Sequence, residues 1–459
     1  MGCSLGAGDV LSIDMRVRSS PRPGALPPTL LTIRRVGVAL TAVLLLFLLV
    51  VAILLTNVPR APVTPTSVAS IAEMDAFFER LVASGNPPGL SAAVVQGDDV
   101  VYQRSFGFAD TPAGERATPD TVYKWWSLTK LLTALAVLQL EEQGRLDRSD
   151  EVREYLPFFA PTYAREPAAP VRVEHLLNHS SGLRNLRAEV LEWTHADGTE
   201  GRQASELLAE SYAQYSTLRA RPGRRGYYSN YGYLVLGELI AATSGRGYED
   251  YVVERILRPL GMGRTGFELT GTMREHLAAG FHPLLDFQTF LIPGIGHLDP
   301  YIREFDDPRM WFEPYYLDAN AYGGAIGSIA DATKLLRAFL HEGRLEGRPV
   351  LSPGPVRAML EDGWVPAGRS NVASLSHRRA GMQHGLGWWV FPSSSGNRYQ
   401  HTGAGPGFAT IFRLYPTDGL GIAVLANATS LDREGVADRL YELFRPRNQA
   451  GLPETATAP

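Results

Sequence analysis

One cysteine, Cys3, stands in 459 residues, and a lone thiol excludes an intrachain disulfide framework. Lysine is almost as scarce. Of 44 basic residues only Lys124, Lys130 and Lys334 are lysine, so nearly every positive charge is carried by arginine. Each lysine therefore raises the question of what an amine does that a guanidinium cannot. A basic block is also absent from the globular part and the formal net charge is −4, which excludes nucleic acid as a partner. The ten histidines have no metal-ligand spacing, and His341-Glu342 lacks the second histidine of a zinc helix, so neither metal nor other cofactor is expected. What remains is 45% hydrophobic and 20% charged, enough apolar material for a sizeable core.

Val36 to Leu55 runs 20 residues without a charge. At about 1.5 Å per residue that is about 30 Å, the thickness of a bilayer's hydrocarbon layer, and it predicts a transmembrane anchor at 36–55. The run exceeds the apolar region of a secretion signal and no A-x-A site follows, so the anchor is expected to be retained. Arg16, Arg18, Arg22, Arg34 and Arg35 precede it and Arg60 alone follows closely. This asymmetry predicts a cytoplasmic arm at 1–35 and everything after the membrane outside the cytoplasm, where cell-wall polymers and peptides are met. Residues 56–69, rich in Pro and Thr, read as a linker; 448–459 read as a disordered tail; 70–447 read as the globular domain.

The domain opens on Ser70-x-x-Glu73, a capping box, with Ile71, Met74, Phe78 and Leu81 on one helical face. LSAAVV from Leu90 and VVYQRSFGF from Val100, joined by the turn 96–99, predict a hairpin. From Ser127 to about Asn320 the pattern is mostly helical, including LLTALAVLQLEEQG, apolar nearly all round and stopped by Gly144. Strand signals return in LGWWVF, YQHTGAG, FATIFRLYP and LGIAVLANA, before a last helix carrying Val436, Leu440, Leu443 and Phe444. Strands at both ends with helices between suit one sheet and a helical second lobe, with a cleft between them.

Three short motifs carry chemistry. In Ser127-Leu-Thr-Lys130 the spacing i, i+3 puts hydroxyl and amine on one helical face. Serine is a poor nucleophile until a base takes its proton, and lysine, unlike arginine, becomes a base when burial lowers its pKa. Tyr228-Ser229-Asn230 sets a phenol and an amide two residues apart, a proton relay and a hydrogen-bonding group. His401-Thr402-Gly403-Ala404 lies on a predicted strand, where a glycine permits close approach and a following N–H can hold an oxyanion. Two other patterns are decoys. Gly261-x-Gly-x-x-Gly266 follows a helix rather than a strand, and the G-x-S-x-G of Gly2 to Gly6 lies in the amino-terminal arm. Lys124 reads as a surface residue.

Together, and in this order, the motifs resemble the serine β-lactamase and penicillin-binding-protein superfamily, especially its class C and esterase-like branch. HLLNHSSGL (175–183), RPLGMGRTGF (258–267), YGGAIGS (322–328) and GLGW (385–388) look like further landmarks of it. The resemblance implies an α+β fold, an antiparallel sheet flanked by helices with a mostly helical second lobe, here preceded by one transmembrane helix. It implies that Ser127 is the acyl-forming nucleophile, with Lys130 and Tyr228 as bases whose order is left open. It implies that Asn230 positions a substrate amide, that His401, Thr402 and Gly403 line the substrate, and that the amides of Ser127 and Ala404 form the oxyanion hole. The expected substrate is a small molecule or peptide, cell-wall-derived compounds included, bearing a β-lactam, D-amino-acid amide or ester bond. Penicillin-recognising members carry Lys where this chain has His401, a departure that favours the peptidase and esterase relatives. The competing class is a catalytically silent member serving as a scaffold or as a cell-wall-binding protein.

Overall fold

The computed structural model describes residues 28–57, 62–164, 166–167, 169–186, 189–283, 295–306, 309–368, 377 and 380–446. Most of the expected arm (1–27), part of the linker (58–61) and the expected tail (448–459) lie outside the described residues. The chain divides into two units, Met1–Asn57 and Val58–Pro459.

In the first unit the described residues form one helix, α1 (Pro28–Asn57). No helix among the described residues is long and apolar enough to cross a membrane. This overturns the transmembrane anchor expected at 36–55 and the membrane contact that went with it. The described side chains of α1 span only residues 35–49.

In the second unit the expected α+β organisation is present. Nine antiparallel strands form one sheet: β1 (Gly89–Gln96), β2 (Asp99–Asp110), β3 (Glu115–Arg116), β4 (Val365–Pro366), β5 (Gln383–His384), β6 (Trp389–Phe391), β7 (Arg398–Gly405), β8 (Phe408–Tyr415) and β9 (Leu420–Ala426). Their order across the sheet is β4-β5-β6-β7-β8-β9-β1-β2-β3. The amino-terminal hairpin thus joins the carboxy-terminal strands through β1 and β9, with Leu90 opposite Ala426 and Gln96 opposite Leu420. Gly97, at φ +58°, makes the tight turn between β1 and β2. The edge strands β3 and β4, and β5 beside β4, are only two residues long, too short for any period to announce them.

Alternation along the central strands assigns the two faces. Ala92 and Val94 of β1, with Ile422 and Val424 of β9, meet Met74, Phe77, Phe78 and Leu81 of α2 (Ile71–Ala83) and Val436, Ala437 and Leu440 at the carboxy terminus. Ala93, Val95, Ala423 and Leu425 point the other way, into the larger core. That core takes in α3 (Thr129–Glu142), α4 (Asn230–Ser244) and α5 (Ile329–Leu340). Every side chain of α3 from Thr129 to Leu140 is buried, as its lack of a polar face requires. The helix α6 (Arg433–Phe444) closes the first face. The Ser70 hydroxyl accepts the Glu73 N–H, while the Glu73 carboxylate accepts from Ala69, one residue earlier than a reciprocal box would have it.

Phe78 is fully buried and ties α2 to the sheet. Truncation in Phe78→Ala lowers stability by about 3–5 kcal/mol, whereas Ser70→Ala, which removes only a cap, costs about 1 kcal/mol. Denaturant midpoints of the two variants check the difference; equal shifts contradict the packing described.

Candidate active site

A small three-stranded sheet starts the site. Val122–Lys124 pairs with Ile326–Ser328, which also pairs with Thr265–Gly266. Just beyond it, Trp125 N–H donates to the Ala325 carbonyl at 2.8 Å and Ala325 N–H donates to the Thr129 hydroxyl at 3.0 Å. Ala325 therefore grips both ends of the turn Trp126–Leu128, which carries Ser127 and leads directly into α3. Trp126 sits at φ +49°, a left-handed conformation that costs a bulky residue on the order of 1–3 kcal/mol. The strained residue immediately precedes the serine.

Strand β7 closes on this turn from the other side. Thr410 donates to the Trp125 carbonyl at 3.1 Å. A Cβ at Gly403 would lie 2.0 Å from the same carbonyl oxygen, and one at Gly405 would lie 2.3 Å from the Trp126 ring. These glycines bring the strand against the serine-bearing turn, so Gly403 makes room for protein backbone rather than for substrate. The β6 partner ends opposite Gln400, so residues 401–405 face the site along an edge that β6 leaves unpaired.

Inside this frame the expected residues converge. The Lys130 amine, wholly buried, lies 3.2 Å from Ser127 Oγ, 2.8 Å from Asn230 Oδ1 and 2.5 Å from the Tyr322 carbonyl. Burial holds it well below the ordinary lysine range. A neutral amine has two N–H bonds, and the amide and carbonyl oxygens are fixed acceptors for both. Its lone pair is left for the Ser127 hydroxyl. Tyr228 is 6% exposed, its phenol hydrogen-bonded to Ser127 and its ring centroid 4.9 Å from the Lys130 amine. Burial raises this phenol, against a smaller opposite effect of the bond to Ser127. Asn230 begins α4, its own N–H donating to Asn185 Oδ1 at 2.7 Å. Its amide oxygen is thus engaged by Lys130 rather than open to substrate.

His401 is fully buried, its ring 6.2 Å from that of Tyr228 and 5.0 Å from that of Trp389. Nδ1–H donates to the Thr402 carbonyl at 3.0 Å, which leaves Nε2 as an acceptor without a partner. Burial pushes this imidazole well below its ordinary value, against a smaller upward pull from the Thr402 bond. It is neutral near pH 7. Thr402 is buried and Ala404 exposed on the same strand.

Sequence reasoning missed the Tyr322 carbonyl, because a backbone oxygen has no residue signature, although YGGAIGS marked the place. Lys124 is corrected. It is half-buried, its amine donating to the Tyr315 carbonyl and lying over the Tyr315 ring. Gly261–Gly266 runs from a helical turn into a two-residue strand, the wrong setting for a dinucleotide.

Comparison with known proteins places the fold. The Beta-lactamase family model matches residues 74–445. Protein flp of Staphylococcus aureus (strain N315) is 24% identical over 358 residues, covering 78% of this chain and 63% of that protein. The chain spans less than two thirds of the length of the curated relatives it matches first. Among solved structures, the octameric penicillin-binding protein homologue from Pyrococcus abyssi is 26% identical with a TM-score of 0.63, covering 82% of this chain and 77% of that one. The D-amino acid amidase from Ochrobactrum anthropi SV3 has a TM-score of 0.63 at 23% identity, covering 81% and 97%, a likeness of fold. With a family model spanning the sheet, the helical core and all three motifs, the chain belongs to the β-lactamase family.

Proposed function

We propose that this chain is a serine hydrolase working through an acyl-enzyme on Ser127. The observation that carries the reading is the Lys130 amine, 3.2 Å from Ser127 Oγ with its two N–H groups committed elsewhere. Ser127 Oγ attacks the carbonyl carbon of an amide or ester while Lys130 takes its proton. Tyr228, protonated and in contact with Ser127, passes a proton to the leaving amine or alcohol and then helps activate the water that releases the acyl group. The backbone amides of Ser127 and Ala404 hold the developing oxyanion.

Burial sorts the two candidate bases. It makes the neutral form of both groups the stable one, and a neutral amine accepts a proton whereas a neutral phenol donates one. Lys130 is thereby the acylation base. Substrate specificity follows from His401. A neutral ring offers no fixed cation for a carboxylate, so esters and amides without a carboxylate beside the reacting bond are preferred to penicillin-like molecules.

Four outcomes test this. A fluorophosphonate labels the wild type and not Ser127→Ala; labelling that survives the substitution removes Ser127 from the mechanism. Lys130→Arg keeps the charge but cannot act as base, and lowers kcat/KM by about 10²–10⁴-fold. The kcat/KM of the wild type rises with pH as the depressed amine loses its proton, then stays level to about pH 9 because the phenol remains protonated above its ordinary value of about 10. A profile that climbs only near that value assigns the first proton to Tyr228. Finally, a short-chain p-nitrophenyl ester has a higher kcat/KM than nitrocefin; the reverse order contradicts the assignment made from His401.

A further inference from the structure

HLLNHSSGL is a sequence landmark close to the site to which the chemistry above gives no part. It comprises the end of the short helix Val173–Leu177 and the loop after it. The Asn178 side chain stiffens that loop, accepting from Ser180 N–H at 3.1 Å and donating to the Gly363 carbonyl at 2.9 Å. His179 follows at φ +60°, 3% exposed.

Three separate parts of His179 touch the turn that carries Tyr228. Its carbonyl accepts the Tyr227 N–H at 2.7 Å. Its Nδ1 accepts the Ser229 N–H at 3.2 Å. Its ring lies on the Tyr228 ring, centroids 4.5 Å apart. The residues on either side of the phenol are thus held by one residue, Tyr227 by its carbonyl and Ser229 by its imidazole, and the imidazole also packs against the phenol ring. A ring that accepts at Nδ1 carries its proton on Nε2; a proton at Nδ1 would set two donors against each other. Tyr228, Tyr233, Lys130, His384 and His401 are titratable groups around it, the rings of His179 and His384 being 5.2 Å apart and those of His179 and Tyr233 5.1 Å, and burial keeps His179 neutral.

We propose that His179 is a positioning residue that holds the Tyr228 hydroxyl against Ser127 through this three-part clamp. The inference rests on the Ser127 acyl-enzyme reading. A clamp of this kind acts on the proton relay, so its loss lowers kcat through Tyr228 and leaves substrate binding along β7 unaffected.

The test is a mutant cycle assayed with p-nitrophenyl butyrate. His179→Phe keeps a ring but removes the acceptor. His179→Asn keeps an acceptor oxygen at the same distance along the side chain and tolerates a left-handed backbone, so it maintains the loop if the phenylalanine variant does not fold. In His179→Phe kcat falls by about 10–100-fold, as expected for a catalytic group displaced by about 1 Å, while KM stays within about threefold. His179→Asn regains at least about tenfold of that loss. Added to Tyr228→Phe, either His179 substitution costs nothing further, because the group it positions is gone. Losses that add in the double variants overturn the proposal, as does wild-type kcat in His179→Phe, or an asparagine variant no better than the phenylalanine one. Ser127→Ala in the same assay separates the two levels. Turnover that does not depend on Ser127 overturns the acyl-enzyme reading, whereas Ser127-dependent turnover with additive losses overturns the role of His179 alone.

Discussion

The arrangement of the site depends on one amine kept dry. Lys130 is enclosed with two oxygen acceptors, Asn230 Oδ1 and the Tyr322 carbonyl, and among the described residues no carboxylate is bonded to it. Two neutral acceptors satisfy a neutral amine but do not compensate a buried ammonium, whose desolvation costs several kcal/mol. The protein therefore fixes the protonation state by leaving out a counter-ion, and fixes the direction of the lone pair by where it puts the acceptors. Ser127 stands in that direction.

The rest of the fold serves this placement. The serine turn is held by Ala325 at both ends, pressed by β7 through Gly403 and Gly405, and driven into a left-handed backbone at Trp126. The same segment that supplies Ala325 supplies the Tyr322 carbonyl, so one stretch of chain sets both the nucleophile and its base. Tyr228 and Asn230 come from a second loop, at the start of α4, steadied by Asn185 and His179. Strain at Trp126 persists because packing on several sides over-determines it.

Much of this was legible in the sequence, for reasons that differ by element. The hairpin of β1 and β2 and the strands β6 to β9 are long enough for alternation to appear, and α3 has the unbroken apolar character of an enclosed helix. Ser127, Lys130, Tyr228 and Asn230 could be paired in advance because i, i+3 spacing and the Tyr-Ser-Asn triplet are local. What was not legible is tertiary. The clamp by Ala325, the carbonyl of Tyr322 and the clash that dictates Gly403 are contacts between distant segments through backbone atoms. Scarcity of lysine was an incomplete guide. All three lysines end on a backbone carbonyl, Lys124 on Tyr315, Lys130 on Tyr322 and Lys334 on Gly261, and only one stands beside a serine hydroxyl. The apolar run at 36–55 misled because absence of charge over 20 residues was equated with a span, whereas no helix among the described residues is long and apolar enough to cross a membrane.

The same scarcity makes the central claim directly measurable. With lysine labelled at the ε-carbon, the three lysines give three NMR signals, and the spectrum of a Lys130→Arg variant identifies the one that matters. The account predicts that the Lys130 signal titrates far below the ordinary lysine value of about 10.4, so that the amine is neutral near pH 7. A Lys130 signal that moves only near that ordinary value would show a buried ammonium beside Ser127, and the proposed chemistry would have no base.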